Sequence, residues 1–515
     1  MPATAEPQPP PARDRFATAA RVVVAVGILL RLWCFATQGT RSLVRDEVAV
    51  GINLFDKGPI ELASRPLDGD QAAPVVFLWI EDALATLSGY DERALRLPAL
   101  AAAIALLPLA HRFAHATFGP LAGLIAAALL AFSEPLIGLG VQLKPYSGDA
   151  LACLLVLESA RWALAGGETP GRLAAVAATG AALVWASFPV VFVIGGAGAT
   201  LIARAFLRRD VAAARRWIVA MAACAASFMV GYAWLLRYYA GSAYLLGWWR
   251  FAFAPWPPRS AGDFHWYATN LGRMFQQELG VGPWWAAALL WAVGIATAAR
   301  GRFGADGRTF AAMLLVPVAL NLAASMIHKY PFNERTMLYA APLTATLTAA
   351  GASRLLTNRR SSIRLVGAAA LAIALAHPIR TQIEYVRRPD ARALEDVKPA
   401  LAFLAEQGRP EDPIYVHWDA VAYYDYYVAR LRFRGLDRRP AVVSTRTPPR
   451  SPEEAAAAYE RDARALAEHR RVGALLGFAL PHDHRALLGA LDRCGRRSAG
   501  IQASLGAAYF YEFTP

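Results

Sequence analysis

The sequence is poor in cysteine and in charged residues, and both shortages exclude classes of protein. Four cysteines in 515 residues are too few for a disulfide scaffold. Charged residues make up 18% of the chain, below the roughly 25% of soluble domains, whereas 56% of the residues are hydrophobic. Apolar runs long enough to cross a bilayer recur along most of the chain. These features exclude a soluble enzyme and predict a polytopic membrane protein.

Lysine is also scarce, so the net charge of +14 comes mainly from arginine. The arginines cluster between apolar runs. Such clusters indicate either cytoplasmic loops that follow the positive-inside rule or a nucleic-acid-binding surface, and their position between spans favours the loops. We therefore expect no nucleic-acid partner. The lysines are Lys57, Lys144, Lys329 and Lys398.

The apolar runs predict about eleven transmembrane helices, with the N-terminus in the cytoplasm and the C-terminus outside. Residues 1–17 are rich in proline and alanine and predict a disordered cytoplasmic tail, and residues 18–379 form the membrane domain. The first apolar segment contains Arg31 and has no clear cleavage site, which favours a retained span. The loop after it lies outside, and residues 73–87 within that loop have the composition of an amphipathic helix on the membrane face. We predict spans at residues 18–36, 95–114 and 120–139, a fourth span that ends at about residue 164, and two short spans within residues 173–206. The remaining spans are at residues 217–238, a segment that ends before residue 300, and residues 310–327, 337–355 and 365–376.

The composition changes near residue 380, where charge rises and the apolar runs shorten. Alternating strand and helix patterns over residues 380–515 predict a soluble α/β domain with a largely parallel sheet, on the outer side of the membrane. No glycine-rich loop joins a strand to a helix, so a lid or acceptor-docking role without chemistry is expected. His482 and His484 flank Asp483, but no other ligand is near in sequence, and we predict a surface loop there.

Polar residues gather in three of the predicted outer loops. Ionisable groups at a membrane edge are costly and tend to be functional. A carboxylate can take the proton of an incoming hydroxyl, and cations can stabilise the charge that develops on a phosphate leaving group. Each residue alone could instead be an interfacial anchor or a snorkelling side chain. The set predicts glycosyl transfer from a lipid phosphate, and it comprises Asp46, Glu47, Lys144, Tyr146, Asp149, His328, Lys329, Tyr330, Glu334 and Arg335.

Asp68 and Asp70 flank Gly69, a spacing that imitates the metal-binding Asp-x-Asp motif of nucleotide-sugar enzymes. The segment lies in an outer loop, where nucleotide sugars are scarce. A turn is therefore the favoured interpretation.

Several short motifs occur in the order typical of one family. The chain resembles the GT-C superfamily of polyprenyl-phosphate-dependent glycosyltransferases, in particular the bacterial relatives of protein O-mannosyltransferases and of the lipid A aminoarabinose and galacturonic acid transferases. The motifs cover about the first 350 residues. They are Leu30-Arg31-Leu32, Arg45-Asp46-Glu47, Glu92-Arg93-Ala94-Leu95-Arg96-Leu97-Pro98, Gln142-Leu143-Lys144-Pro145-Tyr146-Ser147-Gly148-Asp149, and Tyr330-Pro331-Phe332 through Arg335 to Tyr339 and Pro342.

The resemblance implies an active site that faces the periplasm and an inverting direct displacement from a lipid-linked sugar. Asp46 matches the catalytic base, and Glu47 matches a second acid that orients the acceptor or a cation. Lys144 and Arg335 would hold the carrier phosphate. Arg96 and Asp149 would shape the loops, and the remaining residues assigned to substrate binding are Tyr146, Lys329, Tyr330 and Glu334.

The resemblance also implies a multi-pass protein of the bacterial inner membrane. Its partners would be the polyprenyl-phosphate sugar donor and an extracytoplasmic acceptor, which could be lipopolysaccharide, another polysaccharide, a lipid or a protein. The carboxylate-plus-histidine metal pair of some members has no counterpart that we can place, so the metal site stays unknown and a divalent metal is the one cofactor considered.

Two other functions fit a membrane protein that handles lipid-linked sugars. A transporter or flippase would favour interrupted helices with polar residues at the midplane, whereas the ionisable residues here gather in outer loops. A polysaccharide polymerase or ligase would use the same carrier but would not need Asp46 and Glu47 after the first span.

Overall fold

The computed structural model describes residues 12–304, 306–392, 395–444, 451–477, 481–503 and 506–513. Residues 1–11 of the predicted disordered tail lie outside the described residues, whereas residues 12–17 belong to the first helix. The chain is helical up to Arg387 and mixed helical and β beyond it, which confirms the predicted fold class. The helices of the first part are α1 (Ala12–Gln38), α2 (Arg45–Asp56), α3 (Pro59–Ser64), α4 (Val75–Ser88), α5 (Glu92–Phe118), α6 (Pro120–Ala131), α7 (Glu134–Gly138), α8 (Tyr146–Ala165), α9 (Pro170–Leu183), α10 (Val190–Leu207), α11 (Val211–Gly231), α12 (Arg237–Ala240), α13 (Ala243–Trp248), α14 (Ala261–Arg273), α15 (Trp284–Ala299), α16 (Gly307–Met326), α17 (Ala341–Leu356) and α18 (Ser361–Arg387).

Each segment predicted to span the membrane is helical, but the helices differ in length and charge. Of the described helices, six are long and apolar enough to cross a membrane: α1, α5, α10, α11 with its extension to Ala240, α16 and α18. The pair Pro120–Ala131 and Glu134–Val141, bent by 61°, makes a seventh if it is one broken span. The other four predicted spans are α9, α15 and α17, which are short, and α8, which carries Asp149, Glu158 and Arg161.

Glycines allow α15 and α17 to pack with their backbones in contact. A Cβ atom on Gly351 would lie 1.8 Å from the carbonyl oxygen of Leu290, and one on Gly294 would lie 2.2 Å from that of Leu347. Small residues at helix interfaces permit such close approach in membrane proteins. Any larger residue at either position would push the two helices apart.

The loop between α1 and α5, which is predicted to lie outside, folds into three helices, α2, α3 and α4. The amphipathic helix predicted at residues 73–87 is α4, as expected. The helix α2 begins at Arg45, so Asp46 lies in a helical first turn. Glu47 favours this helix start because its Oε2 atom accepts the backbone N–H of Val44 at 2.7 Å. Acidic residues in a first turn are also stabilised by the helix dipole.

The C-terminal domain contains a mixed sheet. Its described strands are ordered β2-β1-β3-β5-β4, with β1 parallel to β2 and β3, and β5 antiparallel to β3 and β4. The sheet is therefore not largely parallel, because the unpredicted strand β4 forms an antiparallel edge with β5. The strand β4 begins with two exposed arginines, which hide its strand character in the sequence. The elements are α19 (Lys398–Gln407), β1 (Ile414–Val416), α20 (Val421–Tyr423), β2 (Ala441–Val443), α21 (Pro452–Leu466), β3 (Arg471–Leu476), α22 (Pro481–Cys494), β4 (Arg496–Ala503) and β5 (Gly506–Glu512).

The C-terminal domain packs directly on α2. Val48 and Leu54 belong to one hydrophobic core with Tyr426 and other residues of that domain. A Cβ atom on Gly51 would lie 2.8 Å from the Tyr426 ring. The hydroxyl of Tyr427 accepts the backbone N–H of Leu43 at 2.7 Å. The segment that carries Asp46 is thus held against the C-terminal domain.

Candidate active site

Asp46 pairs with Arg335, which lies just before α17. The Asp46 Oδ2 and Arg335 Nη1 atoms are 2.5 Å apart, and the two side chains are 38% and 30% exposed. Burial alone would raise the pKa of Asp46, but the charges of Arg335, Lys144 and Arg45 outweigh it and hold this pKa below its ordinary value. Asp46 is therefore ionised at neutral pH, which is the state that a general base requires.

Lys144 is the second cation beside Asp46. The side chain is buried, and its Nζ atom donates to the Oε1 atom of Gln71 at 2.9 Å. Burial lowers the pKa of Lys144 to about 8, although the charge of Asp46 opposes this shift. Two cations around one carboxylate leave an excess of positive charge. This arrangement favours an anion such as a phosphate over a metal ion.

Glu47 is fully buried and pairs with a different cation. Its carboxylate accepts two hydrogen bonds from the Arg96 guanidinium, at 3.2 and 2.8 Å, and the backbone N–H of Leu143 at 2.5 Å. Arg96 also donates to the carbonyl oxygens of Gly39 and Ser42. The Glu47–Arg96 ion pair joins the start of α2 to α5, and Glu47 also binds the residue before Lys144. Glu47 therefore holds together the segments that carry Asp46 and Lys144.

Three predicted residues lie deeper beneath Arg335. The Arg335 guanidinium lies 5.8 Å from the centre of the Tyr146 ring. Asp149 is buried one turn further along α8, and its Oδ1 atom has no hydrogen-bond partner among the described residues. Tyr330 packs edge-on against Phe192, with ring centres 5.3 Å apart. The floor of the site therefore combines aromatic rings with one buried acid.

Lys329 and Glu334 are exposed. Glu334 adjoins Arg335 in sequence and has a backbone φ of 44°, a left-handed conformation that is costly for a residue other than glycine. Burial acts to lower the pKa of Arg335, but the charges of Tyr146 and Asp46 outweigh it and raise this pKa. The charge of Glu334 makes a smaller contribution in the same direction as these two. The structure thus brings Asp46, Lys144, Tyr146 and Arg335 together.

Three residues near the site were not predicted from the sequence. Gln71 bonds Lys144, and the Trp249 ring centre lies 5.9 Å from the Arg335 guanidinium. Glu81 of α4 is fully buried, and neither of its carboxyl oxygens has a hydrogen-bond partner among the described residues. Burial, with a further contribution from Glu47, raises the pKa of Glu81 to about 9. The one sequence signal for Glu81 was its place on the amphipathic helix.

Gln71 is positioned by the Asp68-Gly69-Asp70 segment, which the sequence predicts as a turn. Gly69 and Asp70 both have positive φ angles, of 69° and 55°. Asp68 forms an ion pair with Lys57 at 3.0 Å, and its backbone N–H donates to Asn53 at 2.7 Å. The acidic residue is thus engaged in holding the turn.

Residues of the C-terminal domain hold the start of α2 from the other side. The Glu395 carboxylate accepts the backbone N–H of Arg45 at 3.0 Å. The Arg45 guanidinium, which is exposed, lies 5.7 Å from the centre of the Trp418 ring. Arg45 is not among the predicted site residues, and it contacts the C-terminal domain. This domain therefore helps to position the residue next to Asp46.

Solved structures share this architecture. ArnT from Cupriavidus metallidurans bound to undecaprenyl phosphate matches with a TM-score of 0.53 and 13% identity over 95% of this chain and 97% of that chain. The archaeal oligosaccharyltransferase AglB from Archaeoglobus fulgidus, in complex with an inhibitory peptide and a dolichol-phosphate, matches with a TM-score of 0.51 and 11% identity over 96% of this chain and 74% of that chain. Neither a family model nor a curated protein matches the sequence. The chain has the GT-C fold that its motifs predict.

Proposed function

We propose that this protein is a membrane glycosyltransferase that moves a sugar from a polyprenyl-phosphate donor to an acceptor outside the cytoplasm. The observation that carries the proposal is the ionised Asp46 carboxylate beside the cations of Arg335 and Lys144. A base and an anion site in contact are the two parts that such a transfer needs. The fold shared with proteins solved with undecaprenyl phosphate and dolichol-phosphate supports this choice of donor.

In the proposed reaction an acceptor hydroxyl attacks C1 of the donor sugar from the face opposite the phosphate. The oxygen–C1 bond forms as the bond from C1 to the phosphate oxygen breaks, which inverts the anomeric centre. Asp46 takes the hydroxyl proton. Arg335 and Lys144 stabilise the negative charge that the polyprenyl phosphate gains on leaving.

The ion pair between Asp46 and Arg335 also suggests how the base is released. The phosphodiester of the donor carries one negative charge, as the Asp46 carboxylate does, and its two free oxygens can accept bidentate hydrogen bonds from the same guanidinium. Phosphate binding would therefore draw Arg335 away from Asp46. The carboxylate would lose its strongest partner when the acceptor needs a base.

The other predicted residues have supporting roles in this proposal. Tyr146 and Tyr330 form the floor under the donor sugar, and Asp149 lies beneath them. Glu47 acts as a positioning residue through Arg96. Lys329 and Glu334 would contact substrate at the exposed edge. A divalent metal stays the one cofactor considered.

The proposed location is the bacterial inner membrane, with the N-terminus in the cytoplasm and the site and residues 380–515 in the periplasm. The arginine-rich connectors support this orientation. The acceptor belongs to one of the extracytoplasmic classes, namely lipopolysaccharide, polysaccharide, lipid or protein.

The test is Asp46→Asn in membranes supplied with labelled polyprenyl-phosphate sugar. We expect the transfer rate to fall by about 10²–10⁴-fold, because an amide cannot accept the proton. The donor affinity should be retained or increased, since the neutral amide of this variant no longer competes with the phosphate for Arg335.

The matched control is Glu61→Gln, which changes an exposed acid that pairs with Arg65 in the same predicted outer loop. This variant should transfer sugar at close to the wild-type rate. Wild-type transfer by the Asp46→Asn protein would overturn the proposed mechanism, provided that the protein is present at equal amount in the membrane.

A further inference from the structure

The C-terminal domain holds a second cluster of ionisable side chains, separate from the Asp46 site. Asp419 lies between two histidines: its Oδ1 atom is 2.6 Å from the Nδ1 atom of His417, and its Oδ2 atom is 2.9 Å from the Nε2 atom of His484. His417 and Asp419 are buried, whereas the His484 side chain is 21% exposed. The predicted surface loop at His484 is therefore wrong, because this side chain packs against residues that are distant in sequence.

The cluster lies where this type of sheet binds ligands. His417 and Asp419 directly follow β1, and His484 lies in the first turns of α22, which follows β3. The chain runs from β1 to β2 on one side and then returns to β3 on the other side of β1. Ligands of open α/β sheets bind beyond the carboxyl ends of the strands at such a reversal. The position and the side chains thus point independently to a binding site.

We propose that His417, Asp419 and His484 bind a divalent transition-metal ion of the zinc type. Their three ligand atoms lie within 4.8 Å of one another. Two imidazoles and a carboxylate are a common ligand set for zinc, whose ligand atoms stand about 3.4 Å apart in a tetrahedral site. The two contacts of Asp419 would lengthen by less than about 1 Å to admit the ion. Three protein ligands leave a fourth position for water or another group.

The residues around the cluster already orient it. The Tyr459 hydroxyl lies 2.9 Å from the Nε2 atom of His417, and the indole N–H of Trp418 donates to the same hydroxyl at 3.3 Å. The backbone N–H of Gly477 donates to the Oδ1 atom of Asp419 at 2.9 Å. Partners of this kind fix the ring orientation of metal-bound histidines and raise metal affinity.

The proposed ion would tie the end of β1 to the start of α22. Trp418 lies between two of its ligands in sequence, and the same indole faces Arg45 next to Asp46. The site is thus joined to the active-site helix through one side chain. We expect it to stabilise the C-terminal domain where that domain contacts α2.

The experiment measures zinc binding to the purified full chain in detergent after chelator treatment. Zinc should bind with one equivalent per chain and with micromolar or tighter affinity, and cobalt in its place should give the visible absorption of a four-coordinate site. Asp419→Asn and His484→Asn should each weaken zinc binding at least tenfold. Tyr459→Phe should weaken it less, since Tyr459 does not touch the ion.

His469→Asn is the matched control, because His469 is an exposed histidine of the same domain. It should leave zinc affinity unchanged. The wild-type titration needs no variant: a folded chain that binds less than one equivalent, or no more tightly than Asp419→Asn, would show a hydrogen-bonded network only and would overturn the proposal. Thermal unfolding with and without zinc gives a second readout that is independent of transferase activity.

Discussion

The clusters around Asp46 and Asp419 share a plan but differ in the chemistry of their partners. Each holds an aspartate between two nitrogen-bearing side chains. Asp46 contacts an arginine, which is always charged, and lies near a lysine, whereas Asp419 contacts two histidines, which are neutral when they bind a metal. The first cluster therefore carries excess positive charge and suits a phosphate. The second can present neutral nitrogens with one carboxylate and suits a cation.

The two clusters also differ in exposure. Asp46 is 38% exposed, as a residue that meets a substrate must be, whereas Asp419 is 1% exposed by its side chain. Burial without substrate access favours a structural or regulatory ion. The neighbouring side chains and the access to solvent thus give the two aspartates different roles, a base for Asp46 and a metal ligand for Asp419.

The largest expected effect tests whether the Asp46 cluster depends on the buried ion pair between Glu47 and Arg96. Glu47→Gln leaves the Arg96 charge uncompensated in a fully buried position. Breaking a buried ion pair in this way costs about 3–5 kcal/mol. Thermal unfolding in detergent should show a large fall in the midpoint.

Glu406→Gln is the control for this variant, since it removes an exposed partner of Arg434. An exposed pair contributes about 0–1 kcal/mol, so the midpoint should hardly move. If the Glu47→Gln protein were as stable as the wild type, Glu47 would not hold the start of α2 against α5 as we infer.

The second prediction uses pH to separate the two cations of the Asp46 cluster. Lys144, with its pKa near 8, is charged below that pH and loses its charge above it, whereas Arg335 stays charged. Donor binding should therefore weaken above pH 8, by up to about tenfold per pH unit. The measurement is the apparent KM for the donor between pH 7 and 10.

Lys144→Arg should remove this alkaline weakening, because a guanidinium does not titrate in that range. Lys57→Arg changes a lysine of the loop that carries Asp46 and should keep the wild-type pH profile. A Lys144→Arg protein that weakens in the same way would place the titrating group elsewhere.

The next prediction concerns Glu81, an acid near Glu47 that has no cationic partner among the described residues. Its folded pKa of about 9 exceeds its ordinary value of 4.5, so its titration costs no stability below pH 4.5 and destabilises the fold increasingly as the pH rises toward 9. Glu81→Gln removes this cost. The gain in stability should be small at pH 5 and should grow by up to about 1.4 kcal/mol for each pH unit between pH 5 and pH 8.

Glu61→Gln, at an exposed acid of the same loop, should show no such pH-dependent gain. A loss of stability on Glu81→Gln at pH 8 would mean that the ionised acid has a stabilising partner, which would remove the contrast between Asp46 and Glu81.

Much of the fold and part of the site could be predicted from sequence, because hydrophobic runs and arginine placement act locally. These features predict that the loops carrying Asp46, Lys144 and Arg335 lie on one side of the membrane, and the structure brings these three residues together. The partner of Glu47 could not be predicted, since Arg96 is 49 residues away. His484 meets Asp419 across 65 residues, and no local spacing reveals that contact.

The sequence by itself determined the helical membrane architecture and the order of the polar motifs, because each depends on residues within short segments, and the resemblance of those motifs indicated the GT-C fold. Only the tertiary structure decided which acid faces solvent, which is paired and which is left without a partner. It separated Asp46 from its neighbour Glu47 by placing them on different sides of one helical turn. It also joined His417, Asp419 and His484. The state of a carboxyl group depends on charges and burial within a few ångströms, and these are set by chain segments that meet only when the protein folds.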